Sequence, residues 1–387
     1  MENTFENGKL TIILNERIDT SNADETEKEV FSLIDEKKPE SIVFDASRLE
    51  YISSVGLRMV LKVKKAVTDT KIINTSLEVY DIFSMTGFTD ILDISKKIRE
   101  ISVDGCEVIG RGGHGTVYRL DGDTIVKLYG EKEPLDEIER EISFSKKSFV
   151  YGIPTAISFD IVKCGNCYGV VFELINADTF ANTLAKQPEK FDEYSKKYSD
   201  IVKKLHETKA DTKTFSNIKQ LYNKWIDDMS YVYNEEELQI LHDVINNIPD
   251  RDTFIHGDIH PKNVMVQDGE LLFIDMADLS YGHPIFDFAG MALTHIVAAQ
   301  YIKPMFGIEA DIAAKLFNNV LKDNFPDKTE AELEKMKQII LGYAYIKYAI
   351  SPAVNKAQDR KLSEAIIQNS KAKIIPASKR LIGAIDF

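Results

Sequence analysis

The sequence is poor in positive charge, in cysteine and in long apolar runs. Its 48 lysines and arginines are outnumbered by 62 aspartates and glutamates, which gives a net charge of −14 at pH 7. Nucleic acid and anionic membranes repel an anionic chain of this kind. We therefore expect no nucleic acid and no membrane among its partners.

No stretch of the sequence predicts a signal peptide or a membrane span. Residues 1–6 contain neither a basic segment nor an apolar run. The longest apolar stretch, 289–302, is short and is interrupted by Thr294, His295 and Gln300. We interpret this stretch as a core helix and expect a cytoplasmic protein.

The three cysteines do not match a metal or redox motif. Cys106 is isolated, and Cys164 and Cys167 form a C-x-x-C that lacks the second pair of a zinc site and the context of a redox motif. The Gly165-Asn166 pair between them is typical of a tight hairpin turn. The sequence therefore predicts two cysteines that flank a turn.

One segment places polar side chains at a spacing that indicates phosphate chemistry. Residues 256–263 read H-G-D-I-H-P-K-N, and Asp275 follows the next apolar run. Phosphoryl transfer needs a carboxylate that accepts the proton of the attacking hydroxyl, and an Asn and a second carboxylate that hold Mg²⁺. The pattern predicts Asp258 as the catalytic base and Asn263 and Asp275 as metal ligands.

A glycine-rich segment upstream provides the parts that would hold a nucleotide. The pattern G-x-G-x-x-G-x-V is formed by Gly110, Gly112, Gly115 and Val117. Glycines let the backbone close over phosphates. The next residues are strand-like, whereas a Rossmann glycine turn would lead into a helix. A predicted hairpin, 116–120 and 124–128, presents Lys127 to the phosphates.

These motifs together resemble the kinase fold. The loop at 256–263 is similar to the catalytic loop of protein kinases, and its H-G-D-x-H-P-x-N form is similar to that of aminoglycoside and choline kinases. The resemblance covers about residues 105–387. It implies an α+β two-lobed protein kinase-like domain that uses ATP and Mg²⁺.

The resemblance also implies roles for residues outside the motifs. On a predicted helix at 135–147, Glu141 would pair with Lys127, and Glu137 on the same face is the alternative. The backbone near Glu173 and Ile175 would bind adenine. His256 and Asp287 would support the catalytic loop.

The chain departs from the protein-kinase pattern at three places. Asp-Met-Ala at 275–277 replaces D-F-G, no A-P-E follows, and Gly257 replaces the loop arginine. A phosphorylated activation loop would lack its arginine partner, which favours a small hydroxyl substrate over a protein. His260 and Lys262 stay open between loop packing and substrate contact, and Asp278 is interpreted as a surface carboxylate.

The first hundred residues alternate strands and helices. Strands are predicted at 9–14, 40–45 and 71–74, and helices at 54–66 and 77–85. A further amphipathic helix would start at a Thr20 or Ser21 cap and run through Ile34. Such alternation predicts a small sheet flanked by helices. With a boundary near 100–105, we expect domains at 1–102 and 103–387.

Residues 45–58 read D-A-S-R-L-E-Y-I-S-S-V-G-L-R and resemble the anti-sigma-factor antagonist (STAS) family. The resemblance implies an α/β STAS-like domain, an anti-sigma-factor-like partner and Ser54 as phosphoacceptor. A phosphate there would meet free backbone N–H groups at a helix start. The alternative is that Ser53 and Ser54 simply cap the helix.

Three functions stay open at the level of the sequence. The first is an ATP-dependent phosphotransferase that acts on a small-molecule hydroxyl, fused to a STAS-type regulatory domain. The second is a kinase that phosphorylates Ser54 of its own or another STAS domain and so controls an anti-sigma-factor-like partner. The third is a nucleotide-binding scaffold, which the complete set of catalytic residue types disfavours.

Overall fold

A computed structural model describes residues 1–112, 115–174, 178–351, 371–372, 374–385 and 387. The chain divides into two compact units. The first consists of Met1–Ser102 with Ile161–Asn166, and the second of Val103–Asp160 with Cys167–Phe387.

The first unit is a sheet with helices. Its strands are β1 (Asn3–Glu6), β2 (Lys9–Ile13), β3 (Arg17–Ile18), β4 (Ser41–Asp45), β5 (Tyr51–Ile52), β6 (Asp69–Thr75), β7 (Asp93–Lys96) and β8 (Arg99–Glu100). Its helices are α1 (Ala23–Lys37), α2 (Ser54–Ala66) and α3 (Leu77–Met85), with a 3₁₀ turn at Phe88–Asp90. The main sheet has the order β1-β2-β4-β6-β7, in which only the β1–β2 pair is antiparallel.

The register of the parallel strands aligns their apolar residues. Ile12 of β2 lies beside Phe44 of β4, and Phe44 lies beside Ile72 of β6. All three side chains are fully buried. The middle residues of β4, Ile42-Val43-Phe44, are buried in sequence, as expected of a parallel strand with both faces covered.

Two helices of this unit start where the sequence predicts, and one does not. Helices α2 and α3 have the predicted bounds. Helix α1 begins at Ala23, so the predicted cap at Thr20 or Ser21 is wrong. The cause is local, because the Asp19 carboxylate accepts from the Ser21 amide and the Asn22 side chain accepts from the Asp19 amide, which holds the chain in a turn.

The second unit contains a mainly antiparallel sheet followed by a helical region. Its strands are β9 (Val108–Gly112), β10 (Gly115–Arg119), β11 (Thr124–Tyr129), β12 (Ser158–Cys164), β13 (Cys167–Glu173), β14 (Asp178–Thr179), β15 (Phe254–Ile255), β16 (Val264–Gln267), β17 (Glu270–Phe273) and β18 (Ser280–Tyr281). Its helices are α4 (Leu135–Val150), α5 (Phe180–Lys186), α6 (Phe191–Glu207), α7 (Ile218–Asp227), α8 (Glu235–Asn246), α9 (Ile285–Ala292), α10 (Ala299–Phe306), α11 (Ala310–Asn324) and α12 (Glu330–Ile350).

The large sheet of this unit has the order β12-β13-β11-β10-β9. The predicted hairpin is present as β10 and β11, with Val117 opposite Lys127. Cys164 ends β12 and Cys167 begins β13, so the two cysteines flank the predicted turn. Strands β14, β16 and β17 form a small sheet next to the helical core.

The apolar stretch at 289–302 is not a single core helix, so that prediction is wrong. Helix α9 ends at Ala292, a π-helical turn spans Leu293–Val297, and α10 then begins at Ala299. Among the described residues, no single helix is long and apolar enough to cross a bilayer. The segments Ile285–Val297 and Ala299–Phe306 are long and apolar enough only when they are taken together, and a bend of 92° separates them.

Candidate active site

The catalytic loop lies between β15 and β16 and is held at its first residues by Asp287. The backbone amides of His256 and Gly257 donate to the two carboxylate oxygens of Asp287 at 2.9 and 2.8 Å. Asp287 is fully buried near the start of α9 and also contacts His206 Nε2 at 2.9 Å. The structure therefore places both predicted supporting residues, His256 and Asp287, at the base of the loop.

Gly257 adopts a backbone conformation that explains why no arginine occupies this position. Its φ is +90°, in the left-handed region. A Cβ atom at this position would lie 2.8 Å from the Cβ atom of Asp278. The loop therefore requires glycine immediately before the exposed Asp258.

Asp258, Asn263 and Asp275 are brought together by the strands that follow the loop. Asn263 Nδ2 donates to the Asp258 carbonyl at 3.0 Å and approaches the Asp258 carboxylate at 3.4 Å. The Ile274 amide donates to the Asn263 carbonyl at 2.9 Å, so Asp275 directly follows a residue bonded to Asn263. Asp275 itself has a φ of +62°, a conformation that costs energy for a non-glycine residue and is typical of functional sites.

Asp258 is ionised and accessible. Its side chain keeps 54% of its surface exposed, and its carboxylate lies 3.5 Å from His260 Nε2. Desolvation by the surrounding protein raises the pKa of Asp258, but His260, Lys347 and His256 together lower that pKa well below its usual range. A carboxylate at this position can orient a hydroxyl and accept its proton.

Lys127 lies between two carboxylates. Its ammonium group contacts Glu141 at 2.9 Å and Asp275 at 3.2 Å. Burial lowers the pKa of Lys127, but Asp275 and Glu141 more than offset this and raise it. Of the two glutamates considered as partners, Glu141 is buried and bonded to Lys127, whereas Glu137 is exposed.

The described glycines of the glycine-rich segment lie on β9 and β10. Gly110 lies opposite Val117, and Gly112 lies opposite Gly115. In the predicted adenine-binding segment, the Glu173 amide donates to the Ile157 carbonyl at 3.1 Å. Ile175 lies outside the described residues. The nucleotide-contact roles of these residues stay predictions.

Magnesium would need ligands from the nucleotide as well as the protein. Within the described part of the chain, no three His, Cys, Asp or Glu side chains cluster as a metal site. Mg²⁺ is commonly bound by one or two carboxylates plus substrate phosphates and water. The donor set of Asn263 and Asp275 fits that mode, and the roles of both residues stay predictions.

The phosphoacceptor candidate in the first unit is exposed at a helix start. Ser54 is the first residue of α2 and is exposed. Ser53 occupies the N-cap position, but its side chain makes no capping bond, and its Oγ atom is buried without a hydrogen-bond partner. The Ser53 side chain therefore does not cap α2, and of the two hydroxyls Ser54 offers the accessible one.

Three residues of the site lie outside the predicted set. Tyr129 follows Lys127 by two positions on β11, and its hydroxyl donates to Glu141 at 2.7 Å. His206 contacts Asp287 from α6, and Lys347 reaches the loop from α12. The strand period could have revealed Tyr129. The other two have no local sequence signal.

Comparison with known proteins identifies both parts of the chain. Residues 105–304 match the family model of the phosphotransferase enzyme family APH. The chain belongs to this phosphotransferase family. Residues 2–101 match the STAS domain model. Both predicted resemblances and the predicted fold class are thereby confirmed.

Parts of this APH-family chain are also similar to individual known proteins. The anti-sigma factor antagonist BtrV of Bordetella bronchiseptica is 32% identical over 92 residues, which is 23% of this chain and 78% of BtrV. A choline/ethanolamine kinase family protein from Mesorhizobium loti is 15% identical, with 72% of this chain and 91% of that chain covered and a TM-score of 0.48. The ADP-bound aminoglycoside phosphotransferase APH(2'')-Ib is 15% identical, with coverages of 78% and 98% and a TM-score of 0.48.

Proposed function

We propose that residues 103–387 form an ATP- and Mg²⁺-dependent kinase that phosphorylates a hydroxyl of a small molecule, and that residues 1–102 form its regulatory STAS domain. The observation that carries the proposal is the geometry around Lys127. This lysine contacts Asp275 at 3.2 Å, and Asp275 follows a strand bonded to the segment that holds Asn263 and Asp258. Phosphate-binding, metal-binding and base candidates thus share one site.

Each residue of the site has a role in the proposed reaction. Lys127, fixed by Glu141, binds nucleotide phosphates, and Asn263 and Asp275 supply oxygen ligands for Mg²⁺. When bound, Mg²⁺ neutralises charge on the phosphates. Asp258 orients the acceptor hydroxyl and takes its proton as the oxygen attacks the γ-phosphorus and the bond to the ADP oxygen breaks.

A small acceptor is favoured over a protein by the loop itself. Gly257 occupies the position of the arginine that would dock a phosphorylated activation loop, and a side chain there would collide with Asp278. Asp-Met-Ala stands at 275–277 in place of D-F-G. A phosphorylated activation loop would therefore lack its arginine partner at this position.

The test is an acceptor screen by ADP release from purified full-length protein with Mg²⁺ and ATP. Aminoglycosides, choline and sugars are the first acceptors to add. We expect Asp258→Asn to lower the transfer rate by at least about a hundredfold, since general-base catalysis contributes about 10²–10⁴. Asp327→Asn, which alters an exposed aspartate in the turn between α11 and α12, is the matched control and should keep the wild-type rate.

The exposure of Ser54 favours a second candidate function, an internal phospho-switch. Ser54 begins α2, where no Ser53 side chain caps the free amides, so a phosphate on it would face unsatisfied N–H groups. In this function the kinase phosphorylates Ser54 of its own or another STAS domain, and an anti-sigma-factor-like partner binds one phospho-state only. Joining acceptor and kinase in one chain raises their effective concentration if the geometry permits.

Mass mapping after incubation with Mg²⁺ and ATP separates the two functions. A phosphate on Ser54 that is absent from Asp258→Asn and from Ser54→Ala supports the switch. Transfer to an added small molecule with Ser54 unmodified supports the first proposal. Nucleotide binding without transfer to either leaves the scaffold function.

A further inference from the structure

Lys347 reaches the catalytic loop from α12, 90 residues after the glycine that it contacts. Its ammonium group donates to the Gly257 carbonyl at 2.7 Å. The Gly257 amide donates to Asp287 at 2.8 Å. The residue immediately before Asp258 is therefore held at its N–H by an anion on α9 and at its C=O by a cation on α12.

The packing between α9 and α12 leaves space for this cation. A Cβ atom on Gly290 would lie 2.9 Å from Lys347 Nζ. Glycine inside a helix costs about 1 kcal/mol relative to alanine, and Gly290 lies within α9. A larger residue at this position would therefore force the flexible end of the Lys347 side chain to move from its present place.

The charges around Lys347 are those of the site. Burial lowers the pKa of Lys347, but Tyr222, Asp258, Asp287 and Asp278 together raise it, so its side chain is charged at neutral pH. Conversely, Lys347 lowers the pKa of Asp258 and counteracts the effects of burial and of Asp258 on Asp278. The ammonium group therefore offsets carboxylates that would otherwise repel one another beside the loop.

We propose that Lys347 is a positioning residue for phosphoryl transfer, which holds the Gly257 peptide and so fixes the carboxylate of Asp258 against the acceptor hydroxyl. The inference rests on the proposed function in taking Asp258 as the base. It adds α12, a helix outside every motif of the sequence, to the machinery of the site. Its effect is on the rate of transfer and not on nucleotide binding, because the phosphate-binding Lys127 lies elsewhere.

The experiment uses two variants that disturb the same contact in different ways. Lys347→Met keeps most of the length of the side chain and removes its charge. Gly290→Ala keeps the lysine but fills the space that its ammonium group occupies, while improving the helix propensity of α9. Lys337→Met is the control, because Lys337 lies on the same helix and bonds only with Asn318 among the contacts that the structure describes for it.

We expect both test variants to lower kcat for phosphate transfer about ten- to a hundredfold, the range that a small misplacement of a catalytic group produces. The KM for ATP should stay within about twofold of the wild-type value, since uniform binding is untouched. Amide hydrogen exchange at 257–263 should become faster in both variants. The Lys337→Met protein should match the wild type in all three measurements.

The inference is overturned if Lys347→Met has the wild-type kcat and the wild-type amide exchange at 257–263. It is also overturned if the thermal stability of this variant falls while its kcat does not. If Lys347→Met fails to fold, Gly290→Ala decides alone. If the wild-type protein transfers phosphate to no acceptor and does not hydrolyse ATP, the proposed function fails. Loop exchange still decides whether Lys347 holds the Gly257 peptide.

Discussion

At the scale of single residues, Tyr129 supports Glu141, the buried partner of Lys127. Its hydroxyl donates to one oxygen of Glu141, and Lys127 contacts the other. Burial and the charge of Glu141 raise the pKa of Tyr129, so its phenol stays protonated and remains a donor. Glu141 is thus held from two sides by residues of one strand.

Removal of this hydroxyl should weaken ATP binding. We expect Tyr129→Phe to raise the KM for ATP about three- to tenfold, because a hydrogen bond to a charged group contributes on the order of 1 kcal/mol and Glu141 would hold Lys127 less firmly. The value of kcat should change less. Tyr118→Phe is the control. Val117 lies opposite Lys127, and neighbouring residues of a strand point to opposite faces, so Tyr118 lies on the other face of the sheet from Lys127 and Tyr129. If Tyr129→Phe and Tyr118→Phe had the same KM for ATP, the proposed role of the Tyr129 hydroxyl would be contradicted.

The sequence predicts a site residue well when a contiguous motif contains it. Asp258 and Asn263 lie in one loop, and Lys127 lies on a recognisable hairpin. Lys347 gives no such signal, because a lysine near the end of a helix is ordinary until its contact with Gly257 is known. Long-range contacts of this kind depend on tertiary packing and have no local pattern.

At the scale of elements, the π-helical turn between α9 and α10 buries a histidine. His295 is fully buried, its Nδ1 contacts the Met291 carbonyl at 2.8 Å, and its Nε2 is buried without a hydrogen-bond partner. Burial lowers the pKa of His295 to about 4. The residue therefore stays neutral in the folded protein at pH values where it would be protonated in the unfolded chain.

This histidine should make the second unit sensitive to acid. The stabilisation that depends on neutral His295 is complete above the unfolded-state pKa of about 6.5 and is lost as the pH falls towards 4. Between pH 7 and 5 the loss is about 2 kcal/mol of unfolding free energy. We expect His295→Leu to remove that part of the pH dependence in denaturant titrations. Parallel pH profiles for wild type and variant would contradict the buried neutral histidine.

Regular elements were predictable where side-chain periodicity and caps agree. Helix α3 has its predicted bounds, and the Ser76 side chain caps it by accepting from the Val79 amide at 3.2 Å. The apolar composition of 289–302 could not reveal the bend of 92°. Apolar side chains on all faces give no period, so the break depends on how each half packs in the core.

At the scale of the whole molecule, the chain combines an APH-family phosphotransferase with a STAS domain. We expect the catalytic chemistry to belong to the second unit alone. Ser54→Ala should therefore leave phosphate transfer to a small acceptor within about twofold of the wild-type rate, because Ser54 lies in the first unit and outside the site. A loss of transfer equal to that of Asp258→Asn would contradict this separation.

The central claim is that Asp258 serves a working phosphotransferase site. The most direct test follows transfer of the γ-phosphate from isotopically labelled ATP in the presence of Mg²⁺ and the acceptor panel. It compares the wild-type protein with Asp258→Asn, once both are shown to bind the nucleotide with equal affinity. We expect transfer to an acceptor by the wild type and a loss of at least about a hundredfold in the variant. Equal rates in the two proteins, or nucleotide binding without any transfer by the wild type, would contradict it.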